Sequence, residues 1–291
     1  MQSLWMLAAS FFFALMGMFV KLASAQHNLG EIVLFRGLPS MLFIAAYAYH
    51  QGFSMFGRHI DIHARRNISG MGSMWLGFYA TTQLPLGTAS TLIYTSPLFI
   101  ALAMLYRTYF PGILRQQWLR FGAIVLGFVG VLMIFNPFAH NAFQPFALLC
   151  ALAAGFFAAT AYMTVKALGQ LGEPEWRTVL LFSCSVVITG SVGVLVLGWS
   201  TFTWLSTAKL VGIGVAGMGG QLCMTRAFSR GSTTLTATLQ YAGILFSSII
   251  GYYLWDDRLS ALAWLGMALV VISGLAATIY VRQNPVTALK G

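Results

Sequence analysis

Apolar residues in this chain come in long runs, with most of the charged residues between them. A run of about 20 residues is long enough to cross roughly 30 Å of hydrocarbon as a helix. Ten such spans can be drawn, at 3–23, 31–50, 67–84, 88–107, 117–135, 145–168, 175–198, 207–228, 232–254 and 261–281. The polar loop Gln51–Arg66 separates spans 2 and 3, the turn Pro85-Leu86-Gly87 separates spans 3 and 4, and Asn136–Gln144 separates spans 5 and 6. A closed barrel needs short alternating strands, and these runs are too long and too uniformly apolar for that. The pattern predicts an all-α integral membrane protein with ten transmembrane helices.

One stretch comes back. Phe11–Lys21, FFFALMGMFVK, is echoed 145 residues later by Phe156–Lys166, FFAATAYMTVK, with six of eleven positions identical. Chance gives about one identity in so biased a composition, so the echo marks a duplicated unit. The chain then divides into a first five-helix repeat (1–137), a linker (138–144) and a second five-helix repeat (145–291). With five spans per half, the second half enters the membrane from the opposite side. The halves are expected to be inverted about a pseudo-two-fold axis in the membrane plane, the plan of many carriers.

Composition sharpens this. Residues are 58% hydrophobic and 8% charged, where a soluble domain carries about 25% charged residues. The net charge of +10 is held largely in loops. With both termini cytoplasmic, twelve Lys and Arg fall on the inner side and four on the outer, the positive-inside bias. No basic-aromatic patch points to nucleic acid. Leu22–Ala25 resembles a signal-peptidase site, but Met1–Ser3 has no basic residue and cleavage would remove the repeated stretch, so an uncleaved start is expected. Cys150, Cys184 and Cys223 are scattered through apolar spans and read as small core residues, neither a disulfide framework nor a zinc site. His59-Ile60-Asp61-Ile62-His63 reads as a surface loop, because on a helix Asp61 would face away from both histidines. No metal, cofactor or catalytic arrangement is expected, and nothing requires an oligomer.

The chemistry to explain lies near mid-membrane. Phe12 and Phe157 are matched by the repeat. Trp75 and Tyr79 share a face of span 3. Tyr94 and Pro97 lie in span 4, Gln221 in span 8, and Thr238, Gln240 and Tyr241 in span 9. A phenol, amide or indole N–H facing lipid has no partner, so these groups are expected to line a shared, aromatic, uncharged interior able to bind a small ligand. No Asp or Glu falls mid-span, which favours facilitated passage over a buried carboxylate relay. Arg36 either snorkels outwards or meets Glu31 or a substrate carboxylate. Lys21 and Lys166 either snorkel at helix ends or act as a gate residue at each mouth. Pro97 joins Arg36 and these lysines as gating candidates.

These features together resemble the drug/metabolite transporter superfamily, EamA type. Phe35-Arg36-Gly37-Leu38 is similar to that family's opening of its second helix, Ala89–Phe99 (ASTLIYTSPLF) to its fourth, and Leu254–Leu259 with Trp264-Leu265-Gly266 to its turn into the tenth. Tyr241-Ala242-Gly243 departs from the family's frequent proline. Within the family the chain is most similar to the YddG-type exporters of aromatic and other amino acids. The resemblance implies a bacterial-type inner-membrane protein, not an enzyme, exporting small metabolites by alternating access. Drug export with proton antiport, an intramembrane enzyme and a channel are the competing readings.

Overall fold

A computed structural model describes residues 2–54, 57, 59–109, 122, 125–127, 129–131, 133, 144–257 and 260–282. Those residues form α-helices α1 (Trp5–Ala23), α2 (Leu29–His50), α3 (Ile60–Gln83), α4 (Leu86–Ile93), α5 (Ser96–Tyr109), α6 (Pro145–Gln170), α7 (Glu175–Leu197), α8 (Trp204–Arg230), α9 (Thr233–Leu239), α10 (Ala242–Trp255) and α11 (Ala261–Arg282), with no strand among them. Most of the fifth span, the linker and several of the counted loop cations lie outside the described residues.

Local chemistry starts and stops these helices. Asn28 caps α2 in a reciprocal box with Glu31, and Thr203 does the same for α8 with Ser206. Pro145 opens α6, where a missing N–H costs nothing. Asp256 takes the left-handed conformation that ends α10.

The span boundaries need three corrections. Spans 4 and 9 are each broken in two, at Tyr94-Thr95 and at Gln240-Tyr241. α3 begins at Ile60, well before residue 67, so Arg66 belongs to a helix and not to a loop. The breaks are hidden in the hydropathy pattern because the interrupted stretches stay apolar. Pro97 marks the first: in the opening turn of α5 it has no N–H to continue a ladder, and its fixed φ suits a helix start.

The helices pack in related pairs. α1 lies along α8, α6 along α3, and α2 along α7. The first two pairs correspond in detail. The Phe12 ring rests on Gly219 of α8, and the Phe157 ring, its mate in the repeat, rests on Gly72 of α3. α1 and α6 run in opposite directions. The start of α1 is tied to the loop after α8 by the Ser232 N–H donating to Ser3 Oγ, and the same loop receives the last turns of α6 through Lys166. We call this the near end of the bundle and the opposite end the far end.

The α2–α7 seam brings backbones into contact, since a Cβ on Gly30 would fall 2.5 Å from the Gly193 carbonyl carbon and one on Gly190 2.5 Å from the Leu34 nitrogen. Small residues at such crossings let dispersion contacts hold helices together where lipid offers no hydrophobic drive.

Candidate functional site

The two broken helices meet at their breaks. Ser96 Oγ donates to Gln240 Oε1 at 3.1 Å, and the Tyr94 ring fills the space left open by Gly243. Each break leaves backbone carbonyls to satisfy. At the first, Thr95 Oγ1 donates to the Leu92 carbonyl at 2.7 Å. At the second, Ser10 Oγ reaches the Leu239 carbonyl at 3.4 Å. The residue that sits behind the first break is Gly155, where a Cβ would meet Thr95 Oγ1 at 2.6 Å and the Leu92 and Ile93 carbonyls at 2.9 and 3.0 Å. Ser10 and Gly155 are separated by the offset of the repeat, so the same repeat position backs both breaks.

Beside the first break lies a central cavity of about 140 Å³. Its walls come from α1, α2, α3, α4, α6, α7 and α8. α1 and α6 present matched positions to it: Phe13 with Ala158, Met16 with Ala161, Gly17 with Tyr162. α3 lines it from Arg66 through Gly70, Ser73 and Gly77 to Thr81, a helical stripe of mostly small side chains.

The cavity is not uncharged. Arg36 and Arg66 both face it, each with about 2% of its surface exposed. Arg36 does not snorkel: its Nη2 donates to Gln221 Oε1 at 3.1 Å inside the bundle. Both guanidiniums lie against the Phe182 ring, with Cζ 4.0 Å from the centroid for Arg66 and 5.7 Å for Arg36. Cation–π contact of this kind is worth about 2 kcal/mol when desolvated. Leaving a charge uncompensated in a protein interior costs several kcal/mol, so the ring offsets only part.

No carboxylate supplies the remainder. The chain has six acidic residues, all described, and none lines the cavity. Glu31 is engaged by His27, Asn28 and Ser200 at the far end. Glu173 pairs with Arg177 and Glu175 with Arg230, both at the near end. Asp257 pairs with Lys21, and Asp61 and Asp256 are exposed. Among the described residues, Arg36 Nη1, Arg66 Nε and Nη1, and Gln221 Nε2 are buried donors with no partner.

The two arginines are held in equivalent ways. Gly70 leaves the room that the Arg66 guanidinium fills, and a Cβ there would land on it. Gly217 does this for Arg36, whose Nε and Cζ lie 3.0 and 3.2 Å from where a Cβ would be. These glycines open identical triplets, Gly70-Met71-Gly72 and Gly217-Met218-Gly219. The third residues of the triplets are the glycines that seat Phe157 and Phe12.

The residues expected from sequence fall into three groups. Tyr94, Gln221 and Arg36 line the cavity. Phe12 and Phe157 seat α1 on α8 and α6 on α3, as described above, and Gln240 and Tyr241 form the second break. Trp75 and Tyr79 are on a different face of α3. Trp75 points at α7, donating to Thr189 Oγ1 at 3.4 Å, and Tyr79 packs edge-on against Phe146. The side chain of Thr238 lies outside the described residues.

Lys21 and Lys166 are at opposite ends. Lys21 meets Asp257 at 3.3 Å and the Trp255 ring at 4.7 Å, while Lys166 donates to the Gly231 carbonyl at 3.0 Å. Sequence reasoning missed Arg66, Phe182, Tyr162 and the recurrence of the glycine triplet. The repeated Gly-Met-Gly, once in each half, is the signal that pairs spans 3 and 8.

Known proteins resemble this chain. A pseudopaline exporter of Pseudomonas aeruginosa is 32% identical over 274 residues, covering 92% of each chain. An S-adenosylmethionine uptake transporter of Rickettsia bellii is 24% identical over 229 residues, covering 78% of this chain and 76% of that one. A solved crystal structure superposes with a TM-score of 0.69 over 98% of both chains at 15% identity, which bears on the fold alone. Five described segments, one of them running through the α4–α5 break, are long and apolar enough to cross a membrane. With bacterial transporters as relatives, the chain is a multi-pass protein of the inner membrane. The EamA-like transporter family matches residues 1–136 and again residues 145–279, so both halves, and the protein as a whole, belong to that family.

Proposed function

We propose that this transporter exports small carboxylate-bearing metabolites, with amino acids, aromatic ones included, and compounds built from them as the candidate class. The observation that carries this reading is the pair of buried arginines facing the cavity with no acidic residue of the chain beside them. An ionisable group inside a membrane bundle marks a substrate path by default, and guanidinium is the side chain best matched to a carboxylate. Tyr94, Tyr162 and Phe182 supply the apolar wall for the rest of the ligand.

The route is alternating access between two inverted five-helix halves, termini cytoplasmic, with the near end facing the cytoplasm. The crossing broken helices beside the cavity fit that plan, since irregular backbone is tolerated in a membrane where it lines a cavity or is buried in protein. Export is favoured over uptake by the relative that is 32% identical, an exporter, over the one that is 24% identical. The transport step is a facilitated one, because every carboxylate sits at a helix end.

The deciding measurement is counterflow in proteoliposomes with a panel of amino acids, their amides and decarboxylated amines. Amino acids should exchange, and the amides and amines should not. A panel in which removing the carboxylate changes nothing sinks the proposal. A second reading, proton antiport, draws on the buried His27–Glu31 pair at the far end (3.0 Å). An imposed pH gradient that multiplies the exchange rate would favour it over facilitated passage.

A further inference from the structure

The carboxylate reading asks for one cation, and the cavity holds two. We infer that its substrates carry two acidic groups. This rests on the carboxylate reading and goes further, to the substrate class.

The two arginines approach from opposite ends. Arg36 leaves α2 about two helical turns in from the far end, and Arg66 leaves α3 a little under two turns in from the near end. Both arrive at one ring. Their guanidinium carbons lie 5.7 and 4.0 Å from the Phe182 centroid, so the gap between them cannot exceed those two lengths laid end to end. Within that limit a short chain with a carboxylate at each end can reach both guanidiniums.

The placement is built into both halves of the chain. Each guanidinium occupies the space left by the first glycine of a Gly-Met-Gly triplet. The arginines come from different helices, α2 and α3, yet they occupy corresponding shelves on α8 and α3. A single carboxylate neutralises one charge and leaves the other buried and unpaired. A diacid removes both, and the free N–H groups on Arg36, Arg66 and Gln221 give each of its ends a donor.

The test compares matched pairs in counterflow: glutamate against glutamine, and succinate against succinamate, in proteoliposomes of the full chain. Each diacid should exchange at least about tenfold better than its half-amide, the factor of a single charge-assisted bond. Arg66→Gln and Arg36→Gln, checked for folding by size-exclusion chromatography, should each bring that ratio close to one. Equal exchange of diacid and half-amide by the unmodified protein overturns the two-acid inference and leaves the carboxylate reading standing. Failure of every acid overturns both. The unmodified protein decides even where a variant does not fold.

Discussion

Lys21 and Lys166 hold the same place in the two halves and end on different partners. Lys21 meets a carboxylate, Asp257, which also accepts the Leu86 N–H at the start of α4 at 3.2 Å. Lys166 meets a backbone carbonyl at the end of α8. At the centre of the bundle the halves agree instead. Phe12 and Phe157 rest on the third glycines of identical triplets, and Ser10 and Gly155 back equivalent breaks. Close backbone packing depends on shape, and a duplicated shape is satisfied by duplicated residues. The ends carry charge, and their partners lie in loops that differ between the halves. On the alternating access proposed above, the two ends close at different times, and unequal locks on a matched centre would give the carrier a resting preference.

The largest effect is expected where the halves are matched most closely. Gly155→Ser would give the first break the residue that Ser10 gives the second, but the Leu92 and Ile93 carbonyls occupy the space and cannot yield. Overpacking of this kind costs about 1–3 kcal/mol or more, and the variant should lose most of its folded yield. Ser10→Gly removes only a 3.4 Å hydrogen bond and adds a glycine to a helix interior, at about 1–2 kcal/mol together. Purified yield and detergent melting temperature of the two variants read the difference. Equal losses would mean the breaks are not backed by corresponding positions.

The glycine shelves come next. Gly70→Ala places a methyl group on the Arg66 guanidinium and 2.8 Å from Phe182, whereas Gly217→Ala meets Arg36 Nε at 3.0 Å. Long side chains can move aside, so folding should survive in both. Exchange of an acidic substrate should fall about tenfold for Gly70→Ala, the weight of one charge-assisted bond, and less for Gly217→Ala. Unchanged exchange in both would separate the triplets from the transport path.

Much of this molecule is legible in its sequence, and the illegible parts share a cause. Hydropathy locates the long apolar runs, and the FFFALMGMFVK echo locates the repeat. The same averaging hides what lies inside a run. It passes over the breaks at Tyr94 and Gln240, because a short interruption among apolar residues leaves the mean unchanged. It assigns Arg66 to a loop, because Arg65-Arg66 looks like an inner-side charge pair and α3 is too polar near its start to be counted as membrane. On α3 the conspicuous Trp75 and Tyr79 draw attention to one face, while the cavity face is a stripe of small residues that reads as filler. An uncharged cavity follows from counting carboxylates, which are indeed at helix ends, without allowing a buried arginine to lack one.

The smallest expected effects are those of the two lysines, set against the partner of one of them. Asp257→Ala removes the partner of Lys21 and the acceptor of an α4 N–H together, a loss of about 1–3 kcal/mol. Lys21→Ala removes the ion pair alone. That pair keeps about 15% of each side chain in contact with solvent, so about 1 kcal/mol is the upper expectation. Lys166→Ala loses one bond to a carbonyl, about 0.5–1 kcal/mol. Stability therefore hardly distinguishes the two lysine variants, and direction does. On the proposed orientation, weakening the far-end lock by Lys21→Ala should raise exchange measured from the outer face, since that end opens more readily. Lys166→Ala should raise it from the cytoplasmic face. Sided cysteine labelling on either background measures the two populations. If both variants shift accessibility towards the same face, the two lysines do not lock opposite ends, and the unequal ends have no part in setting the resting state.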